Sequence, residues 1–143
     1  MKQDGTVDLE HLKDLLRPDT ICVAITLVDS ELGVVQPVQE IAAILKAYPH
    51  CHLHVDATQA VGKIPVSLRR GRHEPDGPQI YGLNGIGLLI KRRNLALEPL
   101  IHGGESTTIY RSGTPTVALA SSLACALDLA IIDLPTALAM WQN

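Results

Sequence analysis

A chain of 143 residues has room for one domain with a sizeable core, and 46% hydrophobic residues set it apart from disordered compositions. A net charge of −3 gives no electrostatic case for nucleic acid or an anionic membrane. Aromatic residues are 3% with no Phe, so the core is built from Leu, Ile, Val and Ala. The opening residues, MKQDGTVDLE, are polar and do not read as a signal peptide. Cys22, Cys51 and Cys125 are an odd number without framework spacing, as expected of reduced thiols in a cytoplasmic protein.

In chain order, Asp8 is placed to cap a helix with Leu9, Leu12, Leu15 and Leu16 on one face, and Pro18 stops it. Residues 21–28, ICVAITLV, have the β-branched run of a strand buried on both faces. A loop, DSELG, follows. Pro37 opens a second helix with Val38, Ile41, Ala42 and Leu45 at i, i+3, i+4 and i+7. Leu53, His54 and Val55 form a short strand ending on Asp56. This strand–helix–strand succession predicts parallel pairing with a right-handed crossover. Residues 68–79, LRRGRHEPDGPQ, are charge, Gly and Pro after one Leu, and read as a solvated loop. Gly82, Gly85 and Gly87 surround a turn, and a strand is expected over 86–91. Residues 95–104 form a loop. Pro115 then starts a helix to about Asp133, with Leu119, Leu123, Ala126 and Leu127 as its buried stripe, and Pro135 ends or kinks it. Its apolar stretch is interrupted by Ser121, Ser122, Asp128 and Asp133, which argues against a membrane span. No internal repeat or low-complexity linker divides the chain.

The stretch with most chemical content is 51–61, CHLHVDATQAV. In parallel α/β sheets, ligands collect beyond the carboxyl ends of the strands. Asp56 and Gln59 stand at such an end, three residues apart, where a carboxylate and an amide can reach one planar ligand. A carboxylate there can keep a pyridine-type nitrogen protonated. The competing reading is that Asp56 caps the turn that follows. His50, His52 and His54 share one face of a strand, but three imidazoles spread along extended chain suit tetrahedral zinc poorly, and no metal site is expected. The GLNGIG run at 82–87 lacks both the P-loop and the dinucleotide spacing. Arg69, Arg70 and Arg72 read as a solvated basic run.

Several blocks taken together are more specific than any one motif. VDLEHLKDLLRPDT, ELGVVQPVQEIAAI, HVDATQAVGKIPV, IYGLNGIGLLIKRR, IHGGE and YRSGT resemble, in order and spacing, the class V aminotransferases, and among them the cysteine desulfurases. The resemblance implies an α/β fold: part of the large domain of a fold-type I transferase dependent on pyridoxal phosphate (PLP), a mostly parallel sheet with flanking helices. It would occupy residues 1–114, with 115–143 a long helix leading toward an absent small domain. The family reaction moves sulfur from L-cysteine to an enzyme thiol, leaves alanine, and supplies iron–sulfur cluster assembly. The family enzyme is a homodimer that passes sulfur to acceptor proteins.

By the same resemblance, Asp56 partners the pyridinium nitrogen and Gln59 bonds the ring hydroxyl oxygen. Ser30 stands where the family has an Asn reaching that oxygen. Thr114, in RSGT, matches a residue that reaches the cofactor phosphate of the neighbouring subunit; a Thr before a Pro-started helix is equally an N-cap. One departure is serious. The family carries His–Lys before the Ile-Tyr-Gly turn, whereas Pro78 and Gln79 precede Ile80 here. An amide cannot form an imine, so covalent cofactor attachment is not expected at this position. The segment before it has also lost its apolar strand, which leaves a sheet edge unpaired. Lys63 is no evident substitute, lying on the wrong side of that missing strand. The persulfide-forming Cys has no counterpart, and Cys125 reads as a small core residue. The expected catalytic set is therefore empty, and the chain is expected to be inactive alone. The alternatives are a non-enzymatic interaction module and one half of a split PLP enzyme.

Overall fold

A computed structural model describes residues 1–66, 85–104 and 108–141, together with the backbone of 73–76. Its elements are α1 (Leu9–Leu15), β1 (Cys22–Thr26), α2 (Val38–Leu45), β2 (His52–Asp56), β3 (His73–Asp76) and α3 (Val117–Trp141). The strands pair in the order β1-β2-β3, and both pairings are parallel. Thr26 lies opposite Asp56, and Asp56 opposite Asp76, so the three carboxyl ends are level. This is the α/β arrangement that the strand–helix–strand pattern predicts.

Local chemistry sets the helices. Asp8 Oδ1 accepts from the backbone N–H of Glu10 at 3.0 Å and of His11 at 3.2 Å, which satisfies two donors at the α1 start. These bonds, that to His11 foremost, hold the Asp8 carboxyl below its usual range. The helix ends as Leu16 turns extended, two residues before Pro18. In α2 the Pro37 carbonyl accepts from Ile41 N at 3.0 Å, and Val38, Ile41 and Leu45 are buried.

The core lies on one side of the sheet. Leu53 and Val55 of β2 are buried there, with Val23 and Ile25 of β1 packed alongside. Alternation along each strand brings these four side chains to one face. Ile41, Leu45, Val38 and Leu16 close over them. The opposite face carries Cys22, Ala24, Thr26 and His52, all exposed. The expectation that 21–28 is buried on both faces is therefore corrected: the β-branched run does make a strand, but among the described residues only one face is covered.

Four further expectations change. The segment read as a solvated loop without a strand contains β3, paired to the edge of β2. Pairing here is backbone to backbone and needs no apolar side chains; Pro75, which has no N–H, is tolerated at a sheet edge. The edge of β2 is therefore not left open. No strand forms over 86–91, where the apolar run finds no partner strand. The last helix starts at Val117, not Pro115, and runs through Pro135 to Trp141, so Pro135 does not end it. Its expected stripe is present, with Leu123 buried and Leu119, Ala126 and Leu127 half-buried, but Cys125 is exposed and is not a core residue. Arg69, Arg70, Arg72 and residues 82–84 of the glycine turn lie outside the described residues.

The stretch Val117–Pro135 is long and apolar enough to cross a membrane by length and composition, and almost none of it is buried within the chain. Asp128 sits near its middle. An aspartate at the centre of a bilayer costs about 2.5–3.5 kcal/mol, which keeps the physical argument against a span.

Candidate functional site

β2 delivers Asp56 to the carboxyl end of the sheet, and the chain then winds into a helical turn. Val61 N donates to Ala57 O at 3.1 Å, and Ile64 N to Ala60 O at 2.9 Å. Ala57 and Ala60 are fully buried. Their small side chains let the turn sit close against the strand ends. Asp56 Oδ1 accepts from Thr58 N at 2.8 Å, so the capping reading of this residue is realised. A carboxylate has roughly four lone-pair positions, and one N–H does not exhaust them. Gln59 follows on the same turn, half-buried, and its Oε1 accepts from Lys63 Nζ. The structure thus places Asp56 at the strand end and Gln59 on the turn after it, with Lys63 bonded to Gln59. The i, i+4 spacing of Gln59 and Lys63 was the sequence signal for that contact.

Ser30 belongs to the loop after β1, at the neighbouring carboxyl end. Leu27 N donates to Asp56 O at 2.7 Å, which fastens the start of this loop to the end of β2. Asp29 Oδ1 accepts from Glu31 N and Leu32 N at 3.0 and 2.7 Å and turns the chain, while Gly33 takes the positive φ of 67° that closes it. Gln36 anchors the loop to the N-terminal segment: its Oε1 accepts from Val7 N, and its Nε2 donates to Gly5 O, both at 2.9 Å. Ser30 itself is exposed.

Thr114 lies on a different segment. There Ser112 N donates to Ile101 O at 3.2 Å, and Ser112 Oγ to Gly104 O at 2.9 Å. A Cβ on Gly103 would stand 2.6 Å from Ser112 Oγ, so a larger residue there would make Ser112 shift. The IHGG and RSGT motifs are therefore joined. Thr114 is exposed, and the residue next to α3 is Thr116, whose carbonyl accepts from Ala120 N at 3.0 Å. The N-cap alternative for Thr114 is thereby corrected: the helix begins two residues later than its Pro suggested. Gln79 lies outside the described residues. Among the described residues no three His, Cys, Asp or Glu side chains gather to hold a metal.

Cys51 is buried just before β2, and burial pushes its thiol up, with nearby Cys22 adding to the effect.

The chain is a parallel α/β sheet with a carboxylate at the end of its middle strand and an amide on the turn that follows, the place where ligands collect in such sheets. The family model for aminotransferase class V matches residues 1–139, and the chain belongs to that family. It is 40% identical to a mitochondrial cysteine desulfurase of Arabidopsis thaliana, over 94% of this chain and 30% of that protein. It is 36% identical to a cysteine desulfurase IscS of Dictyoglomus turgidum, over 92% of this chain and 34% of the relative. A solved NifS-like protein superposes with a TM-score of 0.86 at 34% identity, covering 93% of this chain and 38% of its own. A NifS-like protein from Rickettsia africae gives 0.83 at 30% identity, with 94% and 39% covered. The chain spans about a third of the length of the relatives it matches.

The donor set at β2 fits the ring end of PLP. A carboxylate matches a protonated ring nitrogen, and an amide matches a phenolic oxygen.

Proposed function

We propose that this chain is a cysteine-desulfurase-like piece of a PLP enzyme that keeps the ring-binding end of the site and does not complete sulfur transfer by itself. One observation carries the reading: Asp56 closes the middle strand of a parallel sheet with Gln59 on the turn above it, within a family match that spans both. PLP, when bound, supplies an electron sink for bonds at the amino acid α-carbon. Asp56 would hold the proton on the ring nitrogen, and Gln59 would orient the ring through its oxygen. Ser30, on the adjoining loop, would border the same oxygen. Thr114 would reach a phosphate across a dimer interface, as part of a homodimer.

Gln79 sets the limit. No imine forms on an amide, so the chain lacks an amine where the resemblance expects one. The family match over residues 1–139 favours descent from the enzyme over a non-enzymatic interaction module. The sheet face that no described residue covers favours, as a second reading, completion by another polypeptide. Titrating PLP into the chain by calorimetry tests the binding reading, and sulfide release from L-cysteine tests the activity. We expect saturable, weak PLP binding and sulfide release no higher than PLP alone produces. Turnover above that background, abolished by Cys125→Ser, would overturn the second expectation. Heat identical to buffer dilution would overturn the first.

A further inference from the structure

We propose that the outer face of α3 is a self-pairing surface, on which a second copy of this chain docks its own α3 antiparallel about a two-fold axis at Cys125. The inference is independent of the cofactor reading. The inner face of α3 carries Leu119, Leu123, Leu127 and Leu134, all buried or half-buried. At about 100° per residue, the face turned away from them carries Ala118, Ser121, Cys125, Asp128, Leu129 and Ile132. Every one of these is exposed. Val117 and Ile131, also exposed, flank that face on one side. Cys125 lies one residue from the midpoint of the apolar stretch Val117–Pro135. Positions equidistant from Cys125 match small with large: Ser121 with Leu129, and Ala118 with Ile132. An antiparallel copy therefore sets each large side chain against a small one. Leu129 enters the hole between Ala118, Ser121, Ser122 and Cys125 of the partner subunit, at i, i+3, i+4 and i+7. A parallel copy would set large against large at one end and leave a gap at the other.

The charge on this face is accommodated in the same arrangement. Asp128 comes within one residue of level with the partner subunit's Ser121, whose hydroxyl can donate to it. The complementarity is of the face with itself, which is what an isologous two-fold contact requires. An unrelated partner would give no reason for small and large residues to mirror one another about Cys125. The apolar stretch is about 28 Å long and its outer face about 10 Å wide, so each copy contributes of order 300 Å². Two such faces fall short of the roughly 1,200 Å² at the lower end of standard interfaces. The pairing is therefore weak and concentration-dependent, and a thiol at the axis is a means of trapping it.

The experiment uses the full chain as wild type, Ser121→Glu and Leu129→Lys; both positions are exposed, so the packed side of α3 is untouched. Sedimentation equilibrium is expected to show a dimer of the wild type, weakened at least about tenfold in each variant alone. An equimolar mixture of the two variants is expected to associate more tightly than either, because the antiparallel register brings the new carboxylate against the new ammonium. Diamide then reads the axis. Two thiols give up two protons and two electrons as the S–S bond forms, and the azo group of diamide takes them up as a hydrazine. Cys22 is also exposed and serves as the internal control. Peptide mass spectrometry is expected to find Cys125–Cys125 links in at least about tenfold excess over links through Cys22, since docking raises the local concentration of one thiol pair. A wild type that stays monomeric over a hundredfold range of concentration overturns the proposal. So do variants that associate undiminished, a mixture no tighter than its components, or links shared evenly between Cys22 and Cys125; each of these would mean that α3 is not covered by a second α3 in this register.

Discussion

At the scale of single residues, Asp56 closes a turn, and the proposed function gives it a cofactor ring as well. Its cap bond to Thr58 N is built into the fold. A hydrogen bond to a charged group contributes about 1.5–3 kcal/mol, or roughly one to two decades of affinity. Asp56→Asn is therefore expected to weaken PLP binding by that factor while leaving the melting temperature nearly unchanged, because Asn caps about as well as Asp. Gln59→Ala removes a neutral bond worth about 0.5–1.5 kcal/mol and is expected to cost less. Calorimetry on the three proteins checks the order, and equal affinities would reduce Asp56 to a cap. A second residue-scale prediction concerns Cys51. Its thiol is pushed up by burial first and by Cys22 second. In the unfolded chain it ionises near its ordinary value of about 8.5. The stability held by the neutral buried thiol is thus complete below that pH and is lost as pH rises through the higher folded value. Thermal melts from neutral to alkaline pH are expected to fall, and to fall less in Cys51→Ala.

At the scale of elements, what was legible in the sequence was what is decided locally. The Asp8 cap, the Pro37 start and the i, i+3, i+4, i+7 face of α2 are each determined within one or two turns, and each forms. Leu15 shows where the pattern blurs: it belongs to the apolar face of α1 as read, yet it is 64% exposed. Ile41 is fully buried between α2 and the sheet. Ile41→Ala is accordingly expected to destabilise by about 2–5 kcal/mol, whereas Leu15→Ala stays within about 0.5 kcal/mol. Denaturant midpoints distinguish them, and similar losses at both positions would mean that α1 is covered more fully than it is here. β3 was not legible because His-Glu-Pro-Asp has neither alternation nor β propensity; its strand state comes from the edge of β2. The reverse error, a strand over 86–91, arose because apolar sequence alone does not provide a pairing partner. The position of Asp56 at a strand end and of Gln59 on the turn after it was legible from strand pattern and spacing, and the Lys63–Gln59 contact follows their i, i+4 spacing.

At the scale of the molecule, the dominant fact is apolar surface without cover. Among the described residues one face of the sheet has no cover, and α3 exposes Val117, Leu129, Ile131 and Ile132, the last of them 71% accessible. Leu100 is 97% accessible on the loop before α3. Monomeric soluble proteins rarely expose contiguous apolar patches beyond a few hundred Å². The chain spans about a third of the length of its relatives, and the surface is what an α/β layer shows when only one of its faces is packed. We therefore expect the 143-residue chain to self-associate in solution. The filled edge of β2 shifts the cause from strand pairing toward the sheet face and α3. Burying one isoleucine contributes about 1.5–3 kcal/mol, equivalent to one to two decades in an association constant. Ile132→Glu is expected to weaken association by roughly that factor if α3 drives it. Thr26→Glu on the open sheet face tests the other surface. Sedimentation velocity across a hundredfold range of concentration reads both variants. A single monomer species for wild type, with a cooperative melt, would show that the layer is stable with one face bare and would remove the need for any covering partner.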